Sequence, residues 1–210
     1  MRISKTWFTL FTVTLAVMTV LGTRHGLSQN KAVEIIHRQA RLKGSADAPV
    51  KIIEFLDYQC PSCAKAEAFL RETYNREPAG IFIEARYFPL SGHKNSMKAA
   101  VYAECAARQD RFWAYHQRLF ESQLGWAEMN SPALYFEDLA KQTGLDMDRL
   151  QACVSDAGVQ DIVNKDKTEG KSFGIDSTPS FFVNGELVVG FEALKRKLEP
   201  LLEKPASSKP

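Results

Sequence analysis

Two cysteines separated by two residues, Cys60-Pro61-Ser62-Cys63, follow directly on the apolar run VKIIEFLDY of residues 50–58, and no other feature restricts the fold as much. The run is rich in β-branched and aromatic residues, which predicts a buried strand. Pro61 suits the first position of a helix, where its missing N–H costs nothing. The chain therefore turns from strand to helix at Cys60, and the helix is expected to continue to about residue 75. Residues 81–88, IFIEARYF, read as a second strand. Strand, helix and strand in this order predict a βαβ unit with a parallel pair.

From residue 93 to residue 173 the pattern is helical. Met97, Ala100, Val101 and Cys105 share one stripe, and Phe112, His116, Leu119 and Phe120 share another. Phe136, Leu139 and Ala140 continue it, followed by Met147, Leu150 and Val154. Breaks are expected at Asp110, Gly125, Pro132, Gly144 and Gly158. Strand signals return at residues 180–183 and 186–189 around Asn184-Gly185, a strong hairpin turn. An amphipathic helix over residues 191–202 closes the pattern. Residues 30–48 read as a polar lead-in with an edge strand near 33–36, and residues 204–210 as a disordered tail. The class is α/β: a βαβ half, a helical insertion over residues 93–173, then a ββα half, all within residues 30–203.

The chain has 210 residues, 45% hydrophobic and 25% charged, which is ordinary for a globular protein able to bury one core. Its formal net charge is +2, without a dense Lys/Arg block, so a nucleic-acid partner is not expected. Residues 1–29 read as a targeting segment. Arg2 and Lys5 precede an uncharged, mostly apolar stretch at residues 7–21. About 15 helical residues span roughly 22 Å, short of a bilayer core near 30 Å. A signal peptide or an uncleaved signal anchor both fit, and either places the remainder outside the cytoplasm, in a periplasm or at the cell-envelope exterior. Disulfides persist there.

A thiolate is the nucleophile in disulfide exchange, so a redox cysteine needs a lowered pKa and access. At the N-cap, Cys60 faces unpaired helix N–H groups and the positive end of the helix dipole, which favour its anion. Cys63 lies on the same helix face, close enough to bond Cys60 and more covered. Cys60 is thus the expected exposed nucleophile and Cys63 its buried partner. A structural zinc site needs four ligands, whereas Cys105 and Cys153 stand far apart and His25, His37, His93 and His116 form no ligand-spaced cluster. Position 64 is Ala, which excludes haem attachment. No metal or cofactor is expected.

These residues resemble the DsbA-like branch of the thioredoxin superfamily. Glu54-Phe55 through Cys63 is similar to its active-site strand and helix, and Phe88-Pro89-Leu90 with His93 to the entry of its helical insertion. Residues 103–107 with Phe112-Trp113 and Tyr115-His116 are similar to the insertion, and residues 177–185 to its cis-proline loop and hairpin. The resemblance covers about residues 44–202 and implies a thioredoxin fold. It further implies that Thr178–Pro179 is cis beside the cysteine pair, where substrate peptide runs along Thr178, with Pro61 and Ser62 part of the same surface. Glu54 falls where the family has a buried acid that relays the proton of the buried cysteine; read without the family, it is the outward residue of a strand. Pro61-Ser62 lacks the histidine of the strongest oxidants, which removes a cationic neighbour from Cys60. Family members with an extra bridge in the insertion imply a structural disulfide between Cys105 and Cys153; the alternative is two buried free thiols that pack as small hydrophobes.

The expected activity is thiol–disulfide oxidoreduction, oxidising cysteine pairs in exported proteins and recharged by a membrane redox partner. The alternatives are a reductase or isomerase fed by a membrane electron donor, and an exported Cu(I)-binding protein. Dedicated isomerases add a dimerisation domain, for which the stretch before residue 44 leaves no room, so a monomer is expected.

Overall fold

The computed structural model describes residues 38–202. The expected targeting segment (1–29), the edge strand near 33–36 and the tail at 204–210 lie outside the described residues.

Five strands form one sheet: β1 Leu42–Lys43, β2 Val50–Leu56, β3 Ile81–Tyr87, β4 Ser180–Val183 and β5 Glu186–Val189, in the order β1-β3-β2-β4-β5. β2 and β3 run parallel, with Glu54 opposite Ala85, and β4 runs antiparallel to β2, with Phe181 opposite Glu54. Among the described residues the edge beside β3 is β1, where Leu42 faces Glu84. Asn184 and Gly185 both take positive φ, 50° and 86°, which lets the tight β4–β5 turn match the strand twist. Helix α1, Pro61–Arg76, connects β2 to β3, and α8, Phe191–Leu202, follows β5. Their apolar stripes meet one face of the sheet in a core of Ile52, Ala66, Leu70, Phe181, Leu194 and Leu198. This is a thioredoxin fold, with its βαβ and ββα halves parted by a helical insertion.

The insertion holds α2 Ser96–Ala107, α3 Phe112–Glu121, α4 Gln123–Trp126, α5 Ala133–Gln142, α6 Met147–Val154 and α7 Ala157–Ser172. Tyr58, Tyr87, Phe112, Tyr115, Trp126 and Phe136 fill a second core between these helices and the strand ends. Three breaks fall at or beside the expected Asp110, Pro132 and Gly144: Asp110 has φ 56°, Pro132 is an N-cap and Gly144 has φ 75°. Two do not. Gly125 lies inside α4, where a Cβ would stand 2.7 Å from the Tyr135 hydroxyl, so it serves close packing and the chain breaks at Ser122 instead. Gly158 lies inside α7; the break is at Asp156, whose carboxylate accepts the Gly158 N–H at 2.9 Å. Gly170 lets α7 lie against the sheet, since a Cβ there would come within 2.9 Å of Phe55 and Phe88.

A buried ionic cluster ties these layers together. The Arg41 guanidinium pairs with Asp166 of α7, lies 3.5 Å from Glu104 of α2 and covers the Tyr87 ring of β3. The Tyr87 hydroxyl donates to Glu104 at 3.1 Å and its N–H to Asp166 at 3.1 Å. Such a cluster holds geometry more than it adds stability, because each buried charge was first stripped of water.

Candidate active site

Cys60 caps α1 with extended backbone, φ −78° and ψ 119°, and Pro61 follows at the start of the helix. Both cysteines are free thiols. Cys63 is fully covered, and Cys60 keeps only 6% exposure. Cys63 is the more covered of the two, but Cys60 is less open than a lone N-cap would leave it. The loop before β4 covers it: the Cys60 thiol donates to the Thr178 carbonyl at 3.4 Å. The Thr178–Pro179 peptide is cis, Pro179 is buried, and the Thr178 hydroxyl oxygen is buried without a partner. Pro61 is exposed and Ser62 half-buried beside the pair.

The two thiols are driven apart. The Cys60 pKa falls to about 6, chiefly because the Cys63 thiol hydrogen-bonds its sulfur, outweighing burial; the Cys63 and Ser62 N–H groups add to the effect. Burial pushes Cys63 well above the ordinary thiol range, and its role as donor to Cys60 and the nearby Cys60 and Glu54 charges push it further. Helix N–H groups were expected to stabilise the Cys60 anion, and they do. The larger contribution, thiol to thiolate, comes from the second cysteine. Glu54 is buried in β2 with one carboxylate oxygen unpartnered. Burial, then Glu67, then Cys60 raise its pKa to about 8.

Behind the cysteines stands a polar hub, of which the sequence marked His93 alone as part of the entry to the insertion. The buried Asp57 carboxylate accepts from the Gln59 N–H at 2.7 Å, the Leu90 N–H at 2.8 Å, His93 Nδ1 at 2.7 Å and the Ser96 hydroxyl. The Asp57 N–H points at the Cys63 sulfur, 3.5 Å away. Gln123 reaches across from α4 and donates to the Tyr58 carbonyl at 2.7 Å and the Cys60 carbonyl at 3.0 Å. Asn95 donates to the carbonyls of Ala127 and Met129 at 3.0 and 2.8 Å, and its own N–H meets Gln59. The insertion is thereby stitched to the residues around Cys60. Asp57 and Gln59 gave one faint signal, polar side chains in an otherwise apolar run; Gln123 gave none. Among the described residues no group of three or more His, Cys, Asp or Glu side chains is set to hold a metal ion.

Known proteins are similar to this chain in sequence and fold. Residues 37–199 match the family model described as Thioredoxin. The chain belongs to the thioredoxin family. Within that superfamily it is DsbA-like. It is similar to crystal structures of oxidised BdbD from Bacillus subtilis (27% identical, TM-score 0.66, covering 78% of this chain and 93% of that one). A thioredoxin-like oxidoreductase from Silicibacter pomeroyi is also similar (26% identical, TM-score 0.60, 75% and 91%). In sequence it is 24% identical over 208 residues to a probable disulfide bond formation protein D of Bacillus cereus, over 90% of this chain and 94% of that protein. It is also 31% identical over 150 residues to a Na(+)/H(+) antiporter NhaA 1 of a Mycobacterium strain, over 69% of this chain but only 23% of the antiporter. The chain thus spans about a quarter of the length of the curated antiporters it matches.

Away from the cysteine pair, this DsbA-like thioredoxin carries Cys105 on α2 and Cys153 on α6, joined as a disulfide across a Cα–Cα distance of 5.8 Å. The bridge fastens two helices of the insertion.

Proposed function

We propose that this chain is an exported thiol–disulfide oxidoreductase that oxidises cysteine pairs in extracytoplasmic proteins. One observation carries the reading. Two thiols within one helical turn are pushed in opposite directions, Cys60 down to about 6 and Cys63 up. Exchange needs that asymmetry, because the sulfur that leaves as a stable thiolate and the one that keeps its proton must differ.

In the oxidising direction a substrate thiolate attacks the Cys60 sulfur and forms a mixed disulfide. The Cys60–Cys63 bond breaks, and Cys63 leaves with the electron pair. Glu54, protonated at neutral pH by its raised pKa, is the donor that converts Cys63 to a thiol. A second substrate thiolate then attacks the first substrate sulfur, and Cys60 departs as the thiolate. The substrate has lost two electrons and the enzyme dithiol has gained them; a membrane quinone-linked partner removes them again. Extended substrate backbone pairs alongside Thr178 and Pro179, as in strand addition, with Pro61 and Ser62 forming the opposite wall. The name of the Bacillus cereus relative, disulfide bond formation, supports the oxidising direction. Export rests on the basic and apolar residues of the 1–29 segment. Among the described residues no helix is long and apolar enough to cross a membrane.

The deciding measurement is the reduction potential of the pair, read with the reoxidation of reduced ribonuclease. A value above roughly −200 mV with catalysed reoxidation is expected, on the scale that puts thioredoxin near −270 mV and DsbA near −120 mV. A value near thioredoxin's, with no reoxidation, means the reductase reading is correct.

A further inference from the structure

The turn between β2 and α1 carries the Cys60 sulfur, and its shape depends on the backbone of Gln59 and Cys60. Cys60 is extended, at φ −78° and ψ 119°, and so placed its sulfur lies against the Cys63 thiol and the Ser62 and Cys63 N–H groups. Rotation about ψ would swing the sulfur away from those donors while the helix stayed in place. One side chain grips both sides of this hinge. Gln123, buried at the start of α4, donates its amide to the Tyr58 carbonyl upstream at 2.7 Å and to the Cys60 carbonyl downstream at 3.0 Å. We propose that Gln123 is a positioning residue for Cys60, through which the helical insertion holds the sulfur against its donors and so sets its reactivity. The proposal rests on the oxidoreductase reading and deepens it.

The need to satisfy a buried oxygen does not account for the contact with Cys60. That carbonyl already accepts the Cys63 and Ala64 N–H groups of its own helix, at 3.1 and 3.2 Å, and has two lone pairs to offer. Gln123 is its third donor. Gln123 is itself well anchored. The Trp126 indole ties α4 to the Leu119 carbonyl of α3 at 2.9 Å, and Asn95, the N-cap of α2, donates to the Ala127 and Met129 carbonyls just beyond. Gln59, between the two gripped carbonyls, donates in turn to the Ala127 carbonyl at 2.8 Å. An amide suits this task because it offers two N–H groups and carries no charge. The titratable groups coupled to Cys60, Cys63 of α1 and Glu54 of β2, are therefore untouched when Gln123 is replaced by another neutral residue.

The test begins with reduced native protein and oxidised glutathione. The Cys60 thiolate attacks one glutathione sulfur and releases glutathione thiolate; the Cys63 thiolate then attacks Cys60 and releases the second. The dithiol loses two electrons and two protons, and two glutathione molecules form. Native protein that closes no Cys60–Cys63 disulfide refutes the oxidoreductase reading and takes the proposal with it. Where native protein closes it, Gln123→Met decides, since methionine has the same length and no N–H. Iodoacetamide labelling of Cys60 at pH 6 is expected to be slower by about threefold or more, with its pH midpoint moved up and its high-pH plateau within about twofold of native. Leu150→Ala, which loosens the core of the insertion away from the turn, should lower Tm and keep the native midpoint. If Gln123→Met lowers Tm but keeps the native midpoint, Gln123 is structural only and the proposal is overturned. A midpoint moved as far by Leu150→Ala overturns it too, because loosening alone would then suffice. Native protein offers a check that does not depend on any variant folding: the side-chain amide resonances of Gln123 should shift with the titration midpoint of Cys60. Resonances that stay still through that titration overturn the proposal equally.

Discussion

Glu54→Gln should stabilise the reduced protein at neutral pH and much less in acid. Glutamine has nearly the same shape but does not ionise, so the substitution isolates the cost of the buried carboxyl. The carboxyl titrates at 4.5 when unfolded and at about 8 in the fold. Its folded pKa is raised, so between those values the native state holds a proton that the unfolded chain has shed, and stability falls as pH rises through the window. Linkage makes that penalty about 3 kcal/mol at pH 7 and about 1 kcal/mol at pH 5. Any fixed cost of placing an amide beside Phe181 and Ala85 is the same at both pH values and cancels in the difference. The gain from Glu54→Gln should therefore be larger by about 2 kcal/mol at pH 7 than at pH 5, or roughly 4–8 °C in Tm. Urea unfolding of both proteins, kept reduced, at the two pH values measures it. Equal effects at pH 5 and pH 7 would refute a protonated Glu54 and remove it as the donor to Cys63.

Iodoacetamide should label reduced protein at Cys60 alone, with a rate that rises through pH 6, following the pKa of about 6; a midpoint near that of a free thiol, or faster labelling of Cys63, rejects the assigned roles. Removing the second bridge with Cys105→Ala and Cys153→Ala together should lower stability by about 4 kcal/mol on loop-entropy grounds, for residues 48 apart, and Tm by roughly 8–16 °C. Non-reducing peptide mapping that recovers both cysteines of native protein alkylated would show that no such bridge forms.

The strands and helices were legible because each shows its own period. Residues 50–58 and 81–88 are too apolar and β-branched to be anything but buried strands, and Asn184-Gly185 announces its turn. The insertion's breaks were less legible, because glycine has two uses: Gly144 takes a positive φ, whereas Gly125 and Gly158 sit inside helices for contact or beside a cap. The site was legible where chemistry needs a fixed spacing, as at Cys60 and Cys63, and where the family resemblance implied a local geometry, as at the buried Glu54 and the cis Thr178–Pro179 bond. Asp57, Gln59, Asn95, Gln123 and Glu67 were not legible. Each is a polar residue whose burial depends on an element far away in sequence, such as Gln123 against Tyr58 and Cys60. Only the packed fold decides whether such a residue meets water or a partner.

The direction of exchange depends on which form of the pair the protein favours. With a Cys60 pKa near 6, the thiolate stabilises the reduced form at pH 7 by at most about 1.4 kcal/mol, less whatever solvent screening removes. That corresponds to about 30 mV. The span between thioredoxin and DsbA is about 150 mV, and their cysteines, near pKa 7 and 3.5, bracket this one toward the thioredoxin end. The missing cation between Cys60 and Cys63 has this consequence: backbone donors and the Cys63 thiol do not replace an imidazolium. A potential above −200 mV therefore requires a second source, one that disfavours the disulfide rather than favouring the thiolate. The two sources separate by pH. Below pH 6 Cys60 is a thiol, and the thiolate contribution vanishes. Whatever oxidising power persists in acid belongs to the disulfide form and to the Asp57, Gln59 and Gln123 contacts that hold the surrounding backbone in place.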